Sequence, residues 1–247
     1  MRSIGLLIGC AGALLSLTAA SGQPRQIIVL RHAEKIDGGD LCPTGERRAE
    51  ALSKQYLGKG AQKSLFENGD KPAAFFAITG HTKDTIKPTA KSWGLEVIRP
   101  TDSDKSQDDW ENLWTQKAAN EVLTDPAYNG KIVVMTWEHN RIANEEFDEK
   151  DTLRHLLKLD AYAEKTNDDV PKNWCGSNYD FFWIVDYDPG AKYDPKSGPP
   201  TPINVTPVKQ DFIAPYDDVP NNKWGDPEPK DAFQGCTDTP LPECEKP

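Results

Sequence analysis

Arg31 and His32 stand side by side at the end of an apolar run, Ile27-Ile28-Val29-Leu30. An imidazole nitrogen can attack phosphorus and so divide one difficult transfer into two easier ones. The attacking ring must be neutral, and an adjacent guanidinium favours that form by lowering the imidazole pKa. The same guanidinium can hold two phosphoryl oxygens in its planar fork. A second histidine can stabilise charge as it shifts onto those oxygens. The chain has four histidines in all. His32 follows the first apolar run, His81 follows a second at 73–79, and His139 follows a third at 132–137. Ligands in open α/β sheets gather at the carboxyl ends of strands, so these three histidines sit where one site would form. His155 lies in a charged helical stretch and reads as a surface or packing residue. Without further support, Arg31 could equally end a strand and pair with a surface carboxylate.

The elements that must position these groups follow from hydrophobic periodicity. The run at 26–31 is uninterrupted and β-branched, as in a strand buried on both faces. Thr44-Gly45-Glu46 opens a helix, with Thr44 as cap, Glu46 in the first turn and Ala49, Leu52 and Tyr56 on one face. Residues 73–79 predict a second strand. Residues 85–93 predict a helix with Pro88 in its first turn and Gly94 as its stop. A short strand at 95–98 follows, then a helix at 108–123 with Trp110, Leu113, Trp114, Ala118 and Val122 on one side. Residues 132–137 predict a buried strand, 140–159 a mostly helical stretch, and 179–185 a further strand. This alternation predicts a three-layer α/β/α sandwich with a mostly parallel sheet.

Composition bounds the setting. The net charge of −10 disfavours nucleic acid and anionic membranes as partners over most of the surface. A local cluster of Arg and His can still attract a small anion. Residues 1–22 read as a secretory signal peptide: Arg2, a short apolar core from Ile4 to Ala20, then small residues. The mature protein is therefore expected to be secreted or extracytoplasmic, with no membrane association after signal removal. Cys10 would leave with the signal, and Cys42, Cys175, Cys236 and Cys244 would remain. An even number in an exported chain suggests two disulfides. Three pairings are open; the one containing the local loop joins Cys236 to Cys244 and Cys42 to Cys175. Residues 23–188 read as the α/β domain. Residues 189–247, with thirteen of the twenty prolines, read as an extension packed on it that adds an edge strand near 202–212.

The segment from Ile27 to Lys35, with Arg31-His32-Ala33-Glu34 at its centre, resembles the signature of the histidine phosphatase superfamily, also called phosphoglycerate mutase-like. Further similarities come in order: Thr44-Gly45-Glu46-Arg47-Arg48-Ala49, then Thr85 with Pro88, then Ile132 through Glu138-His139, then Phe181 to Asp186. The resemblance implies a phosphomonoester hydrolase acting on a small phosphorylated substrate. In this reading His32 becomes phosphorylated, Arg31 binds phosphoryl oxygens and His139 stabilises the group in transfer. An acidic residue protonates the leaving alcohol and later activates water. The reading calls for no metal and no other cofactor.

Two departures stand out. The family's second arginine falls at His81 here. Losing such a clamp costs about 3 kcal/mol, roughly two orders of magnitude in rate. A histidine in its place would favour acidic conditions or serve only a structural role. The proton donor is not marked by any motif. Glu138 is slightly favoured over Glu34, Asp102, Asp104 and Glu111, although strand alternation could turn it away from His139. Glu34 is also counted with Arg31 and His81 as a substrate contact. Two competing readings follow. One is an inactive phosphate-binding member of the same fold. The other is a zinc hydrolase using the three strand-end histidines, against which the charge of Arg31 argues.

Overall fold

The computed structural model describes residues 23–36, 39–100, 106–188, 190–191, 193–194, 196–227 and 236. The expected signal peptide at 1–22, Cys10, Cys244 and the candidates Asp102 and Asp104 lie outside the described residues.

β1 (Gln26–Arg31) forms where the apolar run places it. Its side chains alternate between two cores, Ile27 and Val29 in one, Ile28 and Leu30 in the other. β2 (Pro72–Ala77) and β4 (Ile132–Trp137) divide in the same way. Phe76, Val133 and Met135 join the first core, and Phe75, Ile132 and Val134 the second. Each large aliphatic side chain buried in this manner contributes about 1.5–3 kcal/mol relative to exposure. With the short β3 (Val97–Ile98), β5 (Phe181–Asp186) and β6 (Asn204–Lys209), they make one sheet in the order β3-β2-β4-β1-β5-β6. β3, β2, β4 and β1 are parallel, while β5 is antiparallel to both β1 and β6.

Helices cover both faces, giving the expected three layers. α1 (Pro43–Leu52), a π-helical continuation at Ser53–Leu57, and α2 (Gly80–Trp93) pack Leu52, Tyr56, Ile86 and Ala90 into the second core. α3 (Gln107–Thr124), α4 (His139–Ile142), α5 (Leu153–Leu156) and α6 (Leu159–Thr166) bring Ala118, Val122, Ile142, Leu153 and Tyr162 to the first.

Several local expectations are corrected. The N-cap of α1 is Cys42, with Pro43 entering the first turn, rather than Thr44. α2 begins at Gly80, well before Thr85, because Thr79 and Thr82 cap its start reciprocally. Pro88 therefore lies inside the helix and not in its first turn. The stop at Gly94 is as read, with φ of 70° in the left-handed region. The stretch at 140–159 is broken into short turns. Asn144 accepts the Glu146 amide at 2.9 Å, a local bond that competes with helix, and Lys158 takes a positive φ of 61°. Cys42 is bonded to Cys236, which overturns the pairing of Cys42 with Cys175 and of Cys236 with Cys244. Cys175 is also in a disulfide. The fold sets Cys42 and Cys236 at a Cα separation of 5.1 Å across 194 residues of sequence, a proximity no local spacing encodes.

Candidate active site

The candidate groups meet at the carboxyl ends of β2, β4 and β1, three adjacent parallel strands. Register does much of the positioning. Arg31 pairs with Trp137, and the His32 amide donates to the Trp137 carbonyl at 3.1 Å. His32 is thereby held level with Glu138 and His139. On the other side, Thr85 Oγ1 accepts the Ala33 amide at 2.9 Å and donates to the His81 carbonyl at 2.8 Å. This hydroxyl ties the turn after β1 to the first turns of α2. The N-terminus of α2 faces the same place, and its dipole favours an anion there.

Hydrogen bonding fixes the state of His32. Its Nδ1 lies 2.7 Å from the Ala33 carbonyl, which can only accept. Its Nε2 lies 3.2 Å from an Arg31 terminal nitrogen, which can only donate. The proton is therefore on Nδ1, and Nε2 carries an available lone pair. Burial, aided by the Arg31 charge, pulls the His32 pKa well below the usual imidazole value, against the opposing influence of Glu138. The ring is neutral at pH 7.

Arg31 is buried and stacks on Tyr179, with its guanidinium carbon 3.6 Å from the ring centre. One terminal nitrogen donates to the carbonyls of Cys175 and Gly176. Among the described residues no carboxylate forms an ion pair with it, and its Nε has no hydrogen-bond partner. Its positive charge is therefore not cancelled locally.

Glu138 turns inward. It accepts Thr79 Oγ1 at 2.8 Å and a short hydrogen bond from His81 Nε2, both at Oε1. Its Oε2 lies 3.4 Å from His32 Nε2. Burial pushes its pKa up, but the contacts from His81 and Thr79 hold the carboxyl below its usual range. The ring centres of His32 and His81 are 4.7 Å apart, nearly perpendicular. His139 is 6.2 Å from His32, centre to centre, and partly exposed. Burial and the Arg31 charge pull its pKa down to about 3. Its Nδ1 has no hydrogen-bond partner among the described residues.

Arg31, His32, His81, Glu138 and His139 thus converge, whereas Glu34 does not join them. Both its oxygens are taken by Arg48, at 2.7–3.1 Å, and it is fully buried. Glu111 pairs with Arg141 at 3.3 Å and accepts from Gln107 at 2.9 Å. Sequence reasoning missed Thr79 and Tyr179. A capping threonine before a helix was a readable signal for the first. Nothing local marks Tyr179, which reaches Arg31 from the approach to the antiparallel strand β5.

No family profile matches the chain, and no curated protein matches it in sequence. Among solved structures, it is similar to a candidate phosphohistidine phosphatase, SixA from Agrobacterium tumefaciens. The identity is 15% and the TM-score 0.36, over 69% of this chain and 96% of that one. It is also similar to a structure named mycobacterial hydrolase 1, at 15% identity and a TM-score of 0.37, over 68% of this chain and 92% of that one. Mycobacterial hydrolase 2 gives 16% identity and a TM-score of 0.39, over 73% of this chain and 89% of that one.

Proposed function

We propose that the chain is an exported phosphomonoester hydrolase that works through a phosphohistidine on His32, with a small phosphorylated compound as substrate. The observation that carries this reading is the neutral His32, its Nε2 lone pair fixed beside a buried guanidinium that has no carboxylate partner among the described residues. Nε2 attacks phosphorus, the bond from phosphorus to the ester oxygen breaks, and Arg31 and His139 take up charge on the phosphoryl oxygens. An arriving phosphate dianion raises the proton affinity of Glu138. Glu138 then takes up a proton with the substrate and hands it to the leaving alcohol, while Thr79 Oγ1 holds the carboxyl in place. In the second step Glu138 takes a proton from water, whose oxygen attacks phosphorus and breaks the bond to Nε2. The Cys42–Cys236 disulfide suits an oxidising compartment and so supports export.

The test is turnover of an aryl phosphate by the metal-free mature chain. We expect activity that survives chelator and falls by at least about a thousandfold in His32→Ala. Equal turnover in that variant would reject the mechanism. A second reading, phosphate binding without turnover, is favoured by one observation: the Nε2 of His81, which stands where the second arginine was expected, is engaged by Glu138. Acid-labile phosphate on the wild-type chain after mixing with substrate, and none on His32→Ala, would exclude it.

A further inference from the structure

The contact between His32 Nε2 and Glu138 Oε2 is electrostatically unusual. Nε2 is an acceptor, because Nδ1 holds the proton, and the Glu138 carboxylate is an acceptor too, as its contacts with Thr79 Oγ1 and His81 Nε2 show. Two lone-pair donors therefore face each other at 3.4 Å. Such an arrangement favours a cation between them. Zinc bonds of about 2.0–2.2 Å to nitrogen and carboxylate oxygen set tetrahedral ligand edges near 3.3 Å. The observed spacing matches such an edge.

A third donor is in place. His32, His81 and Glu138 each offer one ligand atom, and all of these lie within 4.8 Å of one another. All three side chains are buried, and the ligand set comes from three separate chain segments. Outer contacts already orient it. The Ala33 carbonyl fixes the tautomer of His32, and Thr79 Oγ1 holds Glu138. This is not the three-histidine set that the sequence suggested, since Glu138 stands where His139 was expected.

We propose that His32, His81 and Glu138 form a zinc site whose occupancy silences the enzyme. Two imidazoles and a carboxylate suit zinc among the common divalent ions. Binding replaces the His81–Glu138 hydrogen bond and occupies the His32 lone pair. The neighbouring Arg31 charge opposes the ion and keeps the site reversible, so that zinc acts as an inhibitor and not as a resident cofactor. The inhibitory part rests on the phosphohistidine reading, but the binding part does not.

The experiment is titration of metal-free protein with zinc chloride against a chromophoric chelator. One zinc per chain is expected, with turnover lost in step with occupancy and restored by chelator. Glu138→Gln and His81→Asn, checked for folding by circular dichroism, should each bind zinc at least about tenfold more weakly. The nitrogen resonance of His32 Nε2 should shift on zinc addition to the wild type. No uptake by folded wild-type protein, or wild-type affinity retained in both variants, would overturn the site. Zinc that raises turnover would overturn the inhibitory role and the metal-free mechanism together. Zinc uptake by a chain that shows no turnover would support the site and reject the phosphatase reading alone.

Discussion

Arg31 and Arg48 are two buried guanidiniums near one tyrosine, Tyr179, and their surroundings differ in the respect that matters. Arg48 is saturated: it holds Glu34 with three hydrogen bonds, and also bonds Gln210 at 3.3 Å and the Pro220 carbonyl at 2.6 Å. Arg31 meets backbone carbonyls, the His32 ring and the face of Tyr179, with no ion pair among the described residues. One charge is neutralised and fastens the turn after β1 to α1 and to the segment beyond β6. The other is left positive at the strand ends, where it depresses the pKa of both His32 and His139. A charge that the fold pairs is structural, and a charge that the fold leaves unpaired is available to a ligand.

The sharpest way to break this comparison is to remove each arginine in turn. Arg48→Met strands the Glu34 carboxylate in the core. We expect a stability loss of about 3–5 kcal/mol, seen as a melting point lower by on the order of 10 °C. Adding Glu34→Gln should recover most of it, which a double-mutant cycle would measure. Arg31→Met strands no carboxylate, so the melting point should hold or rise. Turnover should instead fall by about two to three orders of magnitude, as for loss of one donor to a developing oxyanion. If Arg31→Met melted as low as Arg48→Met, the distinction between the two would collapse.

The sequence carried one of these roles and not the other. Uninterrupted apolar runs were enough to place β1 and β4, because each buries both faces. Parallel pairing then delivered His32 and His139 to one edge, and the strand-end rule found them. Glu34 was misplaced for an equally physical reason. It is two residues from His32, but its bidentate partner Arg48 lies 14 residues on, and only the packing of α1 decides that the pair closes. The inward turn of Glu138 depends likewise on Thr79, 59 residues away. The disulfide partner of Cys42 is separated by 194 residues. Contacts between distant segments are set by how helices seat on the sheet, and periodicity does not report that.

The two arginines should also differ in what they do to pH dependence. His139, pulled down to about 3, and His32, also lowered, stay neutral in the folded ligand-free protein well below pH 6.5. In the unfolded chain both protonate near pH 6.5. The unfolded state thus binds more protons below that point, so stability falls as pH falls from about 6.5 toward 4. Glu138 acts in the same direction below its ordinary carboxyl pKa, because its folded value is depressed. Melting curves at pH 7, 5.5 and 4 should show the decline, with a shallower slope in His139→Gln. A bound oxyanion raises the proton affinity of His139, so tungstate binding at pH 5.5 should take up protons, measured from the buffer dependence of the calorimetric heat. Zero uptake would place His139 outside the anion site.

The smallest effect concerns the tyrosine near both charges. Tyr179 lies 3.6 Å from the Arg31 guanidinium carbon but 5.9 Å from that of Arg48, so its cation–π contact serves Arg31 first. Such contacts are worth about 0.5–2 kcal/mol when desolvated. Tyr179→Leu removes the aromatic face while keeping an apolar side chain. Because the Cys175 and Gly176 carbonyls still restrain Arg31, kcat/KM should fall by only about fivefold, with Tyr179→Phe nearer to wild type. The split between constants matters more than the size of the loss. A ring that only fills space would lower the melting point of Tyr179→Leu and leave catalysis alone, whereas a ring that aims Arg31 would lower kcat/KM in protein that melts almost normally.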